Sequence, residues 1–300
     1  MIYEKQALTY EEQANQILSR GMEAEKSTLI GLLQQVSYYR LSGYWFPFRK
    51  YQSELFKDGT SLKTIHDRYL FDRHLRLLVL DGIERIEIAI RTDITYQLAH
   101  FNGAFGYTSA NSFPRLDHFQ FTTLQEEFRK EYSRSKETFA SHFQSKYGDV
   151  HDSLPIWMTT ELISFGTLFT MFRGIPIPLS KAIAKKYGIA EPVLLSWLGS
   201  LNTIRNICAH HARLWNRELG YKPMLPNKDE DWKVPIVIQS NKIFVILCIL
   251  QYMLNFVAPN SQWKYRFLEL LNQYPEIPIR EMGFPEKWKQ VSFWKLENQT

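Results

Sequence analysis

The stretch RNICAHHARLWNR, from Arg205 to Arg217, sets two adjacent histidines among three arginines and two asparagines. Arginine holds a phosphate through a planar fork of donors, and histidine can take or give a proton near neutral pH. Together they point to proton-transfer chemistry beside a bound anion. No Asp or Glu occurs between Pro192 and Arg217. A solvated helix face ordinarily mixes signs, so this one reads as a surface arranged for an anion.

Placing these residues requires an element. Residues 192–216 read as one helix, which advances about 100° per residue. On that wheel Asn202, Arg205, Asn206, Ala209, His210, Arg213, Asn216 and Arg217 share a polar arc. Leu201, Ile204, Ile207, Cys208, His211, Leu214 and Trp215 fall on the opposite, apolar side. His210 is therefore the candidate for proton transfer, and His211 is expected in the core. Asn206, one turn earlier, is placed to orient His210. Arg205 and His210 lie about 140° apart on one straight helix, so a two-fold partner is the natural way to bring the two kinds of group into one cleft.

The rest of the chain is also dominated by helical periodicity, with no run of alternating strands and no fixed repeat. An all-α fold is expected. Helices are read at 9–19 and 26–39, with Gly43 and Pro47 stopping any helix that follows. The segment 61–100 reads as the longest helix, with Leu75, Leu78, Ile83, Ile86 and Ile90 inward and Arg73, Arg76, Glu84, Arg85 and Glu87 mostly outward. A charged helical insertion follows at 116–147, then helices at 156–172, 180–187 and about 236–257. This gives an N-terminal helical unit (1–57), a helical bundle (58–260) and an aromatic tail (261–300) packed on the bundle.

With 300 residues, 45% hydrophobic content and a net charge of +5, the chain fills a real core, and any polyanion site is a local patch. Two cysteines, Cys208 and Cys248, far apart, argue against a disulfide scaffold or a zinc site and suit a reducing, cytoplasmic setting. No HExxH, HxH or paired-carboxylate spacing lies near His210, so neither metal nor other cofactor is expected. Cys208 and His211 share the apolar side three residues apart, but a thiol there would be protonated and inert. The uncharged stretch 243–263 is interrupted by Gln251, Asn255, Pro259 and Asn260, so a buried helix is expected rather than a membrane span. The N-terminal MIYEKQALTYEEQ lacks the basic-then-apolar pattern of a secretory signal.

Four stretches occur in an order that resembles one family: SYYRLSGYWFPF, FDRHLRLLVLDGIERIEIAIRT, LPIWMTTELISFGTLFTMF and SWLGSLNTIRNICAHHARLWNR. They are similar to the Abi-like proteins, abortive-infection proteins of bacterial phage defence of the D and F types. Arg205-Asn206-x-x-x-His210 also resembles the R-x(4–6)-H signature of HEPN domains. The resemblance implies a HEPN-like helical bundle, often a homodimer, acting as a metal-independent endoribonuclease with the ribose 2′-OH as nucleophile. It further implies that Arg205 stabilises the pentacoordinate phosphate, His210 moves protons and Asn206 holds the histidine. Arg213, Asn216, Arg217 and, from the aromatic and basic segment 38–51, Arg40 are expected to bind RNA. A restraining antitoxin or regulatory RNA is an expected partner. The alternative reading is a HEPN-like protein that binds RNA or a nucleotide without cutting it, since binding and cleavage call for the same arginines.

Overall fold

The computed structural model describes residues 6–226, 230–234 and 237–295. Among these residues there are twelve α-helices and no strand, so the fold is all-α. The helices are α1 (Tyr10–Ser19), α2 (Lys26–Val36), α3 (Tyr38–Trp45), α4 (Leu62–Asn102), α5 (His118–Arg134), α6 (Thr138–Tyr147), α7 (Ile156–Leu162), α8 (Phe165–Gly174), α9 (Ile177–Lys186), α10 (Glu191–Ala209), α11 (Ile243–Val257) and α12 (Trp263–Gln273). Contacts divide the chain into two units. One comprises Met1–Leu77 with Phe267–Ile277, the other Leu78–Arg266 with the residues from Pro278 onward.

In the first unit, a capping box formed by Thr9 and Glu12 starts α1. The helix expected over 26–39 is broken in two. Ser37 takes φ 37°, and its hydroxyl accepts from the Arg40 amide to begin α3. Gly43, expected to stop a helix, lies inside α3 because Ser37 restarts the helix just upstream. Tyr44 and Trp45 are buried. Trp45 packs edge-on against Tyr38 and Phe56. Arg76, expected on the outside, is buried with an ion pair to Asp72, whose carboxylate also accepts from the Tyr44 hydroxyl at 2.7 Å. A buried charge survives when paired and hydrogen-bonded in this way, which the helical period alone does not reveal.

In the second unit the core is built on α10 and α11. Leu194, Trp197, Leu198 and Leu201 are fully buried, as is every residue of α11 from Ile243 to Leu250. At 15 residues α11 spans only about 22 Å, and among the described residues no helix is long and apolar enough to cross a membrane. Helix α11 begins at Ile243, later than the expected start near 236, a residue that itself lies outside the described residues. Trp263 and Trp294 are buried, donating to the Leu78 carbonyl at 2.7 Å and to the Cys248 sulfur at 3.3 Å.

Two expected helices are again each divided. The charged segment after 116 becomes α5 and α6, separated by an extended Ser135. The segment 156–172 breaks at extended Ile163, and Ser164 caps α8 by accepting from the Thr167 amide at 3.2 Å. Arg91 of α4 holds this break. It donates to the carbonyls of Thr160 and Ile163 while Glu87 pairs with it at 2.7 Å. These partners are far off in sequence, so local periodicity cannot announce them.

Candidate functional site at the end of helix α10

Up to its last turn, α10 sorts its side chains as the wheel requires. Leu201, Ile204 and Cys208 are buried, while Asn202 and Arg205 are half-buried and Asn206 is exposed. Asn202 sits beside α8, because a β-carbon on Gly166 would lie 3.7 Å from both polar atoms of its amide. Sequence reading missed this neighbour, and the one signal for it is the small residue at 166 after a capping serine. The start of α10 is tied to a distant loop. Ser196 accepts from the Met224 amide at 2.9 Å, and the Trp197 indole donates to the Met224 carbonyl at 2.8 Å.

The helix then ends earlier than expected, at Ala209 instead of 216. His210 is the C-cap, with φ −86° and ψ 12°, and its amide reaches the Asn206 carbonyl at 3.0 Å. His211 takes a left-handed conformation at φ 57°. Its amide donates to Cys208 O and that of Ala212 to Ile207 O, both at 3.0 Å. This pair of bonds around a left-handed residue is a Schellman motif, and it satisfies carbonyls that a helix end leaves open. Glycine usually occupies the left-handed position. Here a histidine does, which is why nothing in AHHAR signalled a stop.

Termination changes the reading of the site. The direction of a side chain is set by the dihedrals before it, so the wheel still applies to His210 and fails from His211 onward. His211, expected in the core, is exposed like His210. Leu214 and Trp215 are buried, but as anchors of the returning chain. Arg213, Asn216 and Arg217 therefore do not continue a helical arc. Arg217 donates to the Arg213 carbonyl at 2.9 Å, and Asn216 turns its amide nitrogen towards Glu281 at 3.5 Å. Arg40 is exposed on α3, in the other unit.

Arg205 sits just before the last turn of α10, where its cation offsets the negative end of the helix dipole. Arg205 makes no ion pair among the described residues, and its guanidinium donates to the Asn206 side-chain carbonyl at 3.3 Å. Asn206, expected to orient His210 through its side chain, is thus engaged with Arg205 and reaches His210 through its backbone. Glu87, a conceivable neutraliser of the basic face, is taken by Arg91. Cys208 is 1% exposed, beneath the helix, where no substrate reaches it. Among the described residues no group of three or more His, Cys, Asp or Glu side chains gathers to hold a metal ion.

A family profile for Abi-like proteins matches residues 31–216, more than half of the chain, running from α2 through both histidines to Asn216. The chain belongs to the Abi-like protein family. It is thus an abortive-infection-type protein, and the match takes in Arg205, Asn206 and His210 together with the helices that carry them. No curated protein and no solved structure matches this Abi-like chain.

Proposed function

We propose that this Abi-like protein is a metal-independent endoribonuclease of the HEPN type that acts in phage defence. The observation that carries the reading is the end of α10. An arginine without a carboxylate partner among the described residues stands just before the last turn, and two exposed histidines follow at its cap.

In the reaction, the 2′-oxygen of a ribose attacks the adjacent phosphorus, the bond from phosphorus to the 5′-oxygen breaks, and a 2′,3′-cyclic phosphate and a free 5′-hydroxyl result. His210 takes the proton from the 2′-hydroxyl or delivers one to the departing 5′-oxygen. Arg205 stabilises the negative charge that builds on the pentacoordinate phosphate. Asn206, holding the Arg205 guanidinium, positions that charge. The protein works in the cytoplasm as a homodimer whose two helix ends face each other, and an antitoxin or regulatory RNA restrains it at rest.

Wild type, Arg205→Ala and His210→Ala, compared for RNA cleavage in EDTA and for toxicity to the host cell, test the reading. Loss of cleavage in both variants with folding retained supports it. Cleavage that survives His210→Ala removes the assignment, and RNA binding without any cleavage by wild type leaves a non-catalytic RNA-binding protein.

A further inference from the structure

Between α5 and α8 lies an open groove of about 340 Å³. One face of α8 lines it along the helix's full length, from Ser164 through Thr167 and Thr170 to Arg173. On the α5 side stand Phe119, Gln120 and Thr123, with buried Leu124 in the wall. Its volume falls at the small end of ligand sites, which run from about 300 to 1,000 Å³. That suits one nucleotide rather than a protein helix, which needs a row of apolar anchors this wall lacks.

Phe119 is 79% exposed at the start of α5. Single exposed apolar residues are common on protein surfaces and mean little alone. What distinguishes Phe119 is its surroundings. An aromatic face stands beside an amide and three threonine hydroxyls, at the mouth of a groove that ends in a half-buried guanidinium. Arg173 has no ion-pair partner among the described residues, and the groove's own carboxylate, Glu127, is neutralised by Lys130 at 3.0 Å. Aromatic rings that stack bases, and arginines that hold phosphates, are the ordinary components of single-strand RNA recognition.

The groove also adjoins the proposed catalytic helix. A β-carbon on Gly166, which lines it, would lie 3.7 Å from the Asn202 amide, and Asn202 precedes Asn206 by one turn on α10. We infer that the α5–α8 groove is a nucleotide subsite for single-stranded RNA, which seats a residue flanking the scissile phosphate. Phe119 stacks on its base, Gln120 and Thr123 meet the base edge, and Arg173 holds its phosphate. This inference rests on RNA being the substrate.

The test is fluorescence anisotropy with a labelled, mixed-sequence 2′-O-methyl oligonucleotide, which lacks the nucleophile and stays intact during titration. Phe119→Leu, which keeps the apolar surface and removes the aromatic face, is expected to weaken binding about tenfold, and Phe119→Trp is expected to retain it. Arg173→Gln is expected to weaken binding and to reduce its dependence on salt by about one phosphate contact. RNA bound by wild type with unchanged affinity in Phe119→Leu and Arg173→Gln overturns the subsite and leaves the ribonuclease reading intact. Absence of any RNA binding by wild type overturns both.

Discussion

Substituting His211 separates two accounts of the histidine pair by the sign of a stability difference. At φ 57°, His211 occupies a conformation that costs an L-residue about 1–2 kcal/mol and glycine almost nothing. His211→Ala keeps the β-carbon and hence the strain. His211→Gly removes it, and glycine's greater freedom in the unfolded chain offsets about 0.4–1 kcal/mol of that relief. The glycine variant is therefore expected to be more stable than the alanine variant by about 0.5–1 kcal/mol, a difference of about 2 °C in melting temperature for a chain of this size. Had the helix continued through 216 the order would reverse, because glycine inside a helix costs about 1 kcal/mol relative to alanine. Urea unfolding of the two variants, followed by tryptophan fluorescence, measures the difference directly. An alanine variant more stable than the glycine variant would refute the left-handed cap and restore His211 to a helix. Cleavage assayed on the same samples adds a second reading. A side chain retained where glycine is cheaper is expected to serve the site, so His211→Gly should cut RNA more slowly while unfolding later.

Three further outcomes follow from the packing. Asp72→Asn leaves the buried Arg76 guanidinium without its carboxylate and is expected to cost about 3–5 kcal/mol in chemical denaturation, whereas Tyr44→Phe, which removes one hydrogen bond to that carboxylate, costs about 1–2. Gly174→Ala would bring a β-carbon to 2.7 Å from Leu116 and 3.1 Å from buried Phe113, and the overpacking is expected to lower stability by about 1–3 kcal/mol. Burial, and then the cation of Arg73, hold the His74 imidazole below its usual 6.5, and its Nδ1 lies 3.3 Å from the Tyr274 hydroxyl. A depressed native value means that the unfolded chain takes up the proton first, so this contribution is complete above pH 6.5 and is lost as the pH falls through the native value. His74→Gln should flatten the decline in unfolding free energy between about pH 7 and 5, and an unchanged slope would count against the assignment.

Fold class and the longest helix were legible because both rest on local periodicity. The expected 61–100 helix is α4, Leu62–Asn102, and its inward Leu75, Leu78, Ile83, Ile86 and Ile90 are all buried. What stayed hidden was each helix end fixed by a partner or by backbone strain rather than by glycine or proline. Ser37 and His211 both break helices with positive φ from residues that carry a β-carbon. The break before Ser164 depends on Arg91, about seventy positions earlier in the chain. Charge placement failed at Arg76 because its burial rests on the Tyr44 hydroxyl of another helix as well as on Asp72 one turn before it. The polar arc of α10 was readable through Asn202, Arg205, Asn206 and the cap residue His210, and unreadable from His211 onward.

The early stop leaves one part of the helical arithmetic in force, and it bears on how the site is assembled. His210 projects from the position the wheel gives it, about 140° around from Arg205, so the two do not converge as neighbours on their own helix. If two chains face each other about a two-fold axis, the arginine of one serves the histidine of the other. Complementation distinguishes this from a site within one chain. Arg205→Ala and His210→Ala are each expected to be silent alone. Unfolded together and refolded at equal concentration, about half of the dimers are mixed, and each mixed dimer restores one pairing of Arg205 with His210 across the axis. About a quarter of the wild-type cleavage rate should return, since half the dimers regain one of two pairings. Recovery requires both substitutions in the same mixture, and it should vanish when either variant is mixed with the double substitution. Silent mixtures, from samples shown to exchange chains, would mean that Arg205 and His210 of a single chain act together, by a path the geometry of α10 does not provide.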